Sequence, residues 1–421
     1  MSENVSMSED QASVPSASTD EHLSEQSGSP LAPLSPAPRK RRVLVLFGGR
    51  SAEHDVSCTS AVAVLRSLDA TRYDVQPIGV TRDGSWVRSL SAESVVRQLA
   101  QGADPASLPR QLEAIGEPLV QSAVLPALTA ADRAAVDAGT SLEELPVVIP
   151  ILHGPYGEDG TMQGLLELAG VPYVGAGVLG SAVAMDKAVA KDLLHAAGLP
   201  QAKWLSRAAW EIPDRAALAA LTTEVASTLG WPVFVKPANL GSSVGVSKAT
   251  GAESFVVAVD LALGFDDFVV VEEAIKGREI EFAVLGNEFP EVSVAGEIKP
   301  GKDFYDYEDK YVDDGAQLVI PAQLTDAQLA EGQQWALRAY KALRCEGMAR
   351  VDFFLDDGST GGPGRGWVIN EANTIPGFTP ISMYPKLWEA SGLSYSQLLD
   401  RLIELAVARH ARRNGRFGRG R

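Results

Sequence analysis

Two clusters of polar residues interrupt apolar segments near the C-terminal end of the chain. Arg350 and Asp352 begin one segment, and Glu371 and Asn373 end the next. Alternate residues of a β-strand share a face, so each pair lies on one side of its strand. If the two strands are hairpin partners, the carboxylates of Asp352 and Glu371 and the amide of Asn373 converge. Such an oxygen-rich group is the kind of site that Mg²⁺ prefers, with nucleotide phosphates completing the octahedron.

A surface cluster with Arg350 as its counter-ion is the alternative interpretation. Both acids, however, belong to apolar strands: two phenylalanines directly follow Asp352, and a valine and an isoleucine closely precede Glu371. We therefore favour the metal site.

A Gly/Ser loop and a lysine indicate a phosphate-binding region in the middle of the chain. Residues 241–245 read Gly-Ser-Ser-Val-Gly, with Ser242 and Ser243 at the centre, but no Walker motif follows. The backbone N–H groups of such a loop can still hold phosphate oxygens, although a plain hairpin tip is an equal alternative. Lys236 ends an apolar strand just before the loop, and a buried lysine needs an anionic partner. The lysine therefore favours phosphate.

Two further lysines are weaker candidates. Lys187 follows Met-Asp on a helix and, taken alone, would be a solvated surface lysine. Lys310 lies in the aromatic and charged stretch that runs from Phe304 to Tyr311 without clean periodicity. A long loop this rich in tyrosine suits a lid that closes over a ligand.

Residues 175–180 match the Gly-x-Gly-x-x-Gly pattern of dinucleotide-binding proteins. The next strand, which ends at Ser206 and Arg207, offers no acidic residue for a ribose hydroxyl. We interpret the segment as a turn between domains and disfavour a nicotinamide dehydrogenase.

The surrounding elements predict an α/β protein. Apolar runs at residues 43–47, 73–80 and 147–152 predict buried strands, and residues 56–68 have helical spacing. Strands that alternate with helices indicate a parallel sheet whose ligand edge lies at the strand C-termini.

The second half of the chain predicts two further sheets. Residues 178–197 predict one helix, a strand follows near 203–205, and residues 232–236 and 245–248 predict a small antiparallel sheet. A larger sheet is expected from residues 279–285, 291–298, 349–355 and 366–371, with a helix over 326–343 and a hairpin over 358–366.

Composition limits the possible functions. The 421 residues carry 54 acidic and 37 basic side chains, a formal charge of −17, which argues against a dedicated nucleic-acid binder. No apolar run approaches the roughly 20 residues that a membrane helix needs. Only Cys58 and Cys345 are present, so we expect no disulfide framework and a cytoplasmic location.

Residues 1–40 are expected to be a disordered acidic tail, and residues 409–421 a disordered basic tail.

The sequence from about residue 42 to 407 resembles the D-alanine:D-alanine ligase family of the ATP-grasp superfamily. The resemblance is specific because many short blocks occur in the order and spacing of the family. These blocks are residues 48–57, 153–160, 185–187, 235–237, 241–245, 304–311, 350–352 and 370–377.

The resemblance implies three domains after the acidic tail, at residues 41–175, 176–272 and 273–408. The first is a parallel-sheet domain, and the other two form the ATP-grasp. It also implies the reaction ATP + 2 D-Ala → D-Ala-D-Ala + ADP + phosphate, through an acylphosphate, for peptidoglycan precursor synthesis. A homodimer is the family expectation, and neither nucleic acid nor membrane is an expected partner.

The resemblance also assigns roles to residues of this sequence. Glu53 would hold the first ammonium in a chain with Ser242 and Tyr311, and His153 would lie near the first substrate. Arg350 and the N–H of Gly377 would stabilise the oxyanion. The second carboxylate would be received by Ser382 and Met383, the latter where the family commonly has leucine.

The implied ATP site is larger. Its base-lining residues are Glu272, Glu273, Ala274 and Ile275, with Phe304 over the base and Glu279 on the ribose. Its phosphate-binding residues are Lys187, Lys236, Lys310, Ser242 and Ser243. One or two Mg²⁺ or Mn²⁺ ions would bind Asp352, Glu371 and Asn373.

Several alternatives stay open within the same fold. The second substrate could be D-lactate or D-serine, or the chain could be another carboxylate–amine ligase. Relatives that make D-alanyl-D-lactate typically lack a tyrosine at the position of Tyr311, so its presence favours the dipeptide. A non-catalytic nucleotide-binding regulator is disfavoured because Asp352, Glu371 and Asn373 are all present.

Overall fold

The N-terminal sheet is built around the first predicted strand. The computed structural model describes residues 40–88, 95, 104–108, 110, 117–119, 145–241, 244–299, 317–358 and 364–417. Strand β1 (Arg41–Gly48) pairs in parallel with β2 (Tyr73–Val80) and β5 (Val147–Ile151). The short strands β3 (Trp86–Arg88) and β4 (Glu117–Leu119) extend the sheet antiparallel, giving the order β4-β3-β2-β1-β5. Helix α1 (His54–Ser67) packs against it, and the predicted parallel core is confirmed.

The middle of the chain forms a four-stranded antiparallel sheet in the order β6-β9-β7-β8. Its strands are β6 (Trp204–Ala208), β7 (Val233–Pro237), β8 (Ser247–Ala249) and β9 (Phe268–Glu273). Helices α5 (Arg215–Thr228) and α6 (Ala252–Leu263) cover the sheet, and their apolar residues share one core with β7 and β9. The small antiparallel sheet predicted here is confirmed as the pair of β7 and β8, and β9 and then β6 extend it beyond β7.

The third sheet carries the polar clusters of the C-terminal region. It runs in the order β12-β11-β10-β13-β14 and is antiparallel throughout. Its strands are β10 (Arg278–Gly286), β11 (Glu291–Lys299), β12 (Gln317–Val319), β13 (Gly347–Asp356) and β14 (Gly366–Asn373). Helix α7 (Asp326–Ala342) packs on one face and α8 (Met383–Ala390) on the other.

The predicted helix over residues 178–197 is two helices. Helix α3 (Val178–Met185) ends at Asp186, whose extended backbone breaks the helical path, and α4 (Lys187–Ala196) begins directly after it. One carboxylate oxygen of Asp186 accepts from the N–H of Val189 at 2.9 Å, and the other accepts from Asn239 Nδ2 at 2.9 Å. The single-helix prediction was wrong because an N-cap residue overrides continuous apolar spacing. Helix α2 (Thr161–Ala169) lies before α3 in the chain.

The prediction of a disordered basic tail from residue 409 was wrong as far as Phe417. The last helix, α9 (Tyr395–Phe417), continues through this segment. Arg409 is only 3% exposed, donates to the carbonyl oxygens of Tyr173 (2.7 Å) and Gly175, and stacks over the Tyr173 ring at 4.3 Å. These distant partners stabilise a segment that composition alone marks as solvated.

The boundaries of the three predicted domains remain predictions, and the acidic tail lies outside the described residues apart from residue 40. In the described part of the chain, no helix has both the length and the apolar character that crossing a membrane requires. Both cysteines are buried free thiols.

A glycine on helix α7 tests how tightly the third sheet is packed. A Cβ at Gly332 would lie 2.6 Å from Phe282 Cζ and 2.7 Å from Trp367 Cζ2. We expect Gly332→Ala to lower the free energy of unfolding by about 1–3 kcal/mol, despite the better helix propensity of alanine.

Gly164 of α2 is the matched control, since a Cβ there meets nothing within 4 Å. Gly164→Ala should raise the free energy of unfolding by up to about 1 kcal/mol. Urea unfolding of both variants measures the difference, and equal shifts would contradict the packing argument.

Candidate active site

One cavity of about 560 Å³ is lined by strands of the second and third sheets and by the loops and helix that adjoin the first sheet. Its volume lies within the usual range of roughly 300–1,000 Å³ for small-molecule sites. It brings together most of the predicted site residues. Those that line it are Glu53, His153, Lys187, Lys236, Glu272, Glu273, Ala274, Ile275, Glu279, Arg350, Glu371, Asn373 and Gly377. Asp352, Ser382 and Met383 lie beside the cavity and do not line it. Ser242, Ser243, Phe304, Lys310 and Tyr311 fall outside the described residues.

The hairpin of β13 and β14 brings the predicted metal ligands together. Asp352 faces Glu371 directly in the register of the two strands, and Asn373 Nδ2 donates to Asp352 Oδ2 at 2.9 Å. A β-bulge makes this possible: Phe353 pairs with Ile369, and the next pair skips Asn370. The extra residue turns Glu371 away from the apolar core side, where Ile369 lies, and toward Asp352.

Arg350 is held between two carboxylates. Its Nε and one terminal nitrogen donate to the two oxygens of Asp352 at 2.8 and 2.7 Å. The same Nε lies 3.0 Å from Glu281 Oε2 on the neighbouring strand β10, where Glu281 faces Asp352 in register. Burial alone would lower the pKa of Arg350, but Asp352 and Glu281 raise it, so the guanidinium remains charged. Glu281 was not predicted from the sequence, although it lies two residues after Glu279 and therefore on the same face of β10.

Asp352, Glu371 and Asn373 can hold a hard divalent ion only if a substrate supplies further oxygen ligands. Among the described residues, no group of three histidine, cysteine, aspartate or glutamate side chains could hold a metal ion. Asp352 and Glu371 supply two carboxylates, and the Asn373 amide supplies a third oxygen. Oxygen ligands of this type suit Mg²⁺, which usually takes one or two carboxylates and completes its octahedron with phosphate and water.

Lysines occupy another part of the cavity. Lys187, the first residue of α4, donates from Nζ to the carbonyl oxygen of Leu240 at 2.5 Å. Lys236 Nζ lies 3.1 Å from Glu272 Oε1, and the same oxygen lies 3.3 Å from Lys191 Nζ. Burial raises the pKa of Glu272, but the two ammonium groups outweigh it and bring the pKa to about 2. Lys191 was not predicted from the sequence, although it lies one helical turn after Lys187.

The N-terminal loop holds Glu53 between glycines. A Cβ on either Gly154 or Gly241 would lie 2.6 Å from Glu53 Oε2, so the carboxylate contacts two segments that must lack side chains. Ser51 fixes the loop, because its hydroxyl donates to the carbonyl oxygen of His153 at 2.7 Å and accepts from the N–H of Glu53 at 3.2 Å. The Glu53 side chain is thereby placed at the cavity wall, only 9% exposed as a residue.

The imidazole of His153 is buried, which favours its neutral form. Burial lowers its pKa, with the nearby charge of Glu53 acting in the opposite direction. Nδ1 lies 3.0 Å from the carbonyl oxygen of Ile375, which accepts only, so Nδ1 carries the proton. Nε2 lies 3.3 Å from the hydroxyl of Ser60. The ring therefore ties the end of β5 to the C-terminal segment beside the cavity.

Glu158 is a further cavity residue that the sequence analysis did not single out, although it lies inside the block 153–160. Its two oxygens accept from the N–H groups of Gly154 (2.7 Å) and Ile375 (3.2 Å). Burial, and then the charge of Glu53, raise the pKa of Glu158 to about 8, with the two N–H donors partly opposing them. This carboxyl links the same two segments that His153 links.

The segment predicted to receive a second carboxylate begins helix α8. The Ser382 hydroxyl bonds to Thr379, lying 3.0 Å from its nitrogen and 2.7 Å from its hydroxyl oxygen. A Cβ on Gly377 would lie 2.7 Å from the Ser382 oxygen, so this serine is close to the cavity wall. The side chain of Met383 is buried in the apolar core. Its backbone N–H lies in the first turn of α8 and can donate to an anion.

Comparisons with known proteins agree with this geometry. Residues 42–176 match the family model described as "D-ala D-ala ligase N-terminus", and residues 193–404 match "D-ala D-ala ligase C-terminus". The chain belongs to the D-alanine–D-alanine ligase family. The family resemblance, the ATP-grasp fold and ATP-dependent ligase chemistry predicted from the sequence are thereby confirmed.

Relatives in this ligase family cover nearly the whole chain. The D-alanine–D-alanine ligase of Shouchella clausii is 47% identical over 378 residues, which span 89% of this chain and 96% of the relative. That of Mycolicibacterium vanbaalenii is 47% identical over 381 residues, spanning 87% and 97%.

Solved structures extend the likeness to three dimensions. The D-alanine-D-alanine ligase from Coxiella burnetii matches with a TM-score of 0.74 and 36% identity, over 90% of this chain and 97% of the other. The VanG D-Ala:D-Ser ligase from Enterococcus faecalis matches with a TM-score of 0.71 and 34% identity, over 87% and 100%. The two neighbours are named for different second substrates, so the choice of second substrate needs its own test.

The raised pKa of Glu158 gives a testable pH dependence. Because the folded carboxyl titrates near pH 8 and the unfolded one near its ordinary value, the folded state binds more protons between these limits. The free energy of unfolding should therefore fall as the pH rises from about 5 to about 8.

Glu158→Gln removes this contribution. Urea unfolding at about pH 6 and about pH 8.5 should show a smaller loss of stability in the variant than in the wild type. Asp159→Asn, which changes the neighbouring acid, is the control and should keep the wild-type slope. Parallel profiles for Glu158→Gln and the wild type would contradict the shifted titration.

Proposed function

We propose that the chain joins two D-alanine molecules to D-alanyl-D-alanine, with ATP cleaved to ADP and phosphate. The observation that carries this proposal is the charge layout of the cavity. A guanidinium held by two carboxylates lies in the same cavity as the ammonium groups of Lys187 and Lys236, with the Glu53 carboxylate on the wall. This layout supplies sites for an oxyanion, for phosphates and for a substrate ammonium.

In the proposed first step, the carboxylate of one D-alanine attacks the γ-phosphorus of ATP. An oxygen–phosphorus bond forms, the bond to the β-phosphate oxygen breaks, and ADP leaves with that electron pair. Negative charge spreads over the transferred group, so catalysis depends on positioning and charge neutralisation. Lys187 and Lys236 supply positive charge, as Lys310 would by resemblance. Glu53 binds the ammonium of this substrate, and the neutral His153 lies near it.

In the second step, the amine of the other D-alanine attacks the acylphosphate carbonyl. The tetrahedral intermediate carries an oxyanion, which Arg350 and the N–H of Gly377 would stabilise. Donors of this kind contribute roughly 3–4 kcal/mol each in other enzymes. The carbon–oxygen bond to phosphate then breaks, phosphate leaves with that electron pair, the nitrogen releases one proton to solvent, and the amide is the product. Ser382 and the N–H of Met383 receive the second carboxylate.

Asp352, Glu371 and Asn373 would hold Mg²⁺ or Mn²⁺, one ion or two. When bound, such an ion neutralises phosphate charge and orients the terminal phosphoryl group. Asp352 has a second role in this chain, since it also fixes the guanidinium of Arg350.

The remaining ATP contacts follow the family. Glu272, Glu273, Ala274 and Ile275 would line the adenine, with Glu279 on the ribose and Phe304 over the base. Ser242 and Ser243 would hold phosphates, and Tyr311 with Ser242 would link the lid to Glu53. We also propose a homodimer, a cytoplasmic location consistent with two free thiols, and a role in peptidoglycan precursor synthesis.

A turnover assay tests the main proposal. Purified protein with ATP and Mg²⁺ is given D-alanine, L-alanine, or D-alanine together with D-lactate or D-serine. ADP release is measured with a coupled assay, and the product is identified by mass spectrometry. We expect turnover with D-alanine alone, the dipeptide as product, and none with L-alanine. D-alanine alone giving no ADP would end the proposal, whereas a mixed product only with D-serine would support the specificity of the VanG-like neighbour.

Glu371→Gln tests the metal role. The change keeps the side-chain volume but removes one negative charge, so we expect turnover to fall roughly a hundredfold or more and more Mg²⁺ to be needed for half-maximal rate.

The exposed Glu389 of α8 provides a matched control, and Glu389→Gln should leave rate and Mg²⁺ requirement unchanged. Thermal unfolding of all three proteins shows whether the fold is intact. A Glu371→Gln enzyme with wild-type rate and Mg²⁺ response would exclude this residue as a ligand.

A further inference from the structure

Helix α4 presents two lysines to the cavity region, one turn apart. Lys187 lines the cavity, whereas Lys191 lies behind it and is only 2% exposed. A buried ammonium is costly unless an opposite charge accompanies it. Glu272 is the carboxylate within salt-bridge distance of Lys191, at 3.3 Å, among the residues that the structure describes.

The same Glu272 oxygen also contacts Lys236, at 3.1 Å. Lys236 belongs to β7 and lines the cavity, and Phe234 of the same strand faces Glu272 in register on β9. The order is therefore Lys191, Glu272, Lys236, from the interior to the cavity. Two ammonium groups share one carboxylate, so the three side chains together carry one net positive charge.

We propose that Lys191 is a positioning residue for nucleotide phosphates: by sharing the charge of Glu272, it leaves the positive charge of Lys236 available to the phosphate chain. This inference rests on the proposed function, in which Lys236 binds phosphate.

The ammonium of Lys191 changes the net charge of the pair formed by Glu272 and Lys236. Glu272 and Lys236 alone would form a neutral ion pair, and an approaching phosphate would then have to compete with Glu272 for the ammonium. Electrostatic interactions in such a buried setting are screened less than in water, so the charge balance acts strongly at short range. Burial lowers the pKa of Lys191, and the carboxylate of Glu272 opposes that change.

A structural role for Lys191 makes a different prediction. A buried ion pair can serve packing alone, and its replacement by apolar groups is often neutral for stability. If Lys191 only supported the fold, its loss would weaken the binding of every part of the nucleotide alike. If it sets the charge at Lys236, its loss would weaken binding of the phosphates and spare the nucleoside.

The experiment measures dissociation constants for ADP and for adenosine by calorimetry, with EDTA present and no D-alanine. The decisive quantity is the Kd of ADP divided by the Kd of adenosine. In Lys191→Met we expect this ratio to rise about tenfold, while adenosine binding changes by less than about twofold. Lys341→Met removes an exposed lysine of α7 and should leave the ratio unchanged.

A double variant keeps the test decisive if Lys191→Met folds poorly. Lys191→Met/Glu272→Gln removes both buried charges and restores one net positive charge at Lys236. The ratio should return to within about threefold of the wild type. A double variant with the ratio of the single variant, or a single variant with the wild-type ratio, would overturn the proposal.

The two proposals fail in different ways. A wild-type enzyme that turns over D-alanine, with an unchanged ratio in Lys191→Met, would overturn only the role of Lys191. A wild type that binds ADP but does not turn over D-alanine would overturn only the proposed reaction, since nucleotide binding is measured without that substrate.

Discussion

The guanidinium of Arg350 is the charge around which the C-terminal part of the site is arranged. It is largely removed from water and needs anionic partners, which Asp352 and Glu281 provide from adjacent strands. These partners fix the side-chain orientation, because a planar guanidinium bonded to both oxygens of one carboxylate has little freedom. The register of β10 and β13 places the two acids side by side. The position of the positive charge is therefore set by the sheet itself.

The opposite arrangement occurs around Glu272, where one carboxylate is shared by two lysines. Both sets are networks of three buried or partly buried charges, one with two anions and the other with two cations. They lie around the same cavity, to which the N-terminal loop adds Glu53 between two glycines. Each charged group is held by partners from another strand, helix or loop, so the site depends on the three sheets being assembled together.

Local patterns predicted the elements well, and long-range contacts explain what they missed. The three parallel strands of the first sheet follow from apolar runs, whereas the short strands β3 and β4 were not predicted. Helix α7 ends within one residue of its predicted end. The break at Asp186 was missed because continuous apolar spacing concealed a local N-cap, which the distant Asn239 reinforces. The helix was not predicted to continue past Arg409, because this side chain bonds to carbonyl groups more than 230 residues earlier in the sequence. The roles of Tyr311 and the other residues outside the described ranges remain predictions.

The bulge at Asn370 sets which way the side chains of β14 point. Side chains alternate along a strand, so a regular ladder that kept Asn370 would exchange the inward and outward positions of everything on one side of it. Glu371 would then point into hydrocarbon and its apolar neighbour, Ala372, toward the cavity. Deleting Asn370 itself would leave the pairs of Asp352 with Glu371 and of Phe353 with Ile369 in place, whereas deleting a neighbouring codon with the bulge retained would invert a whole segment.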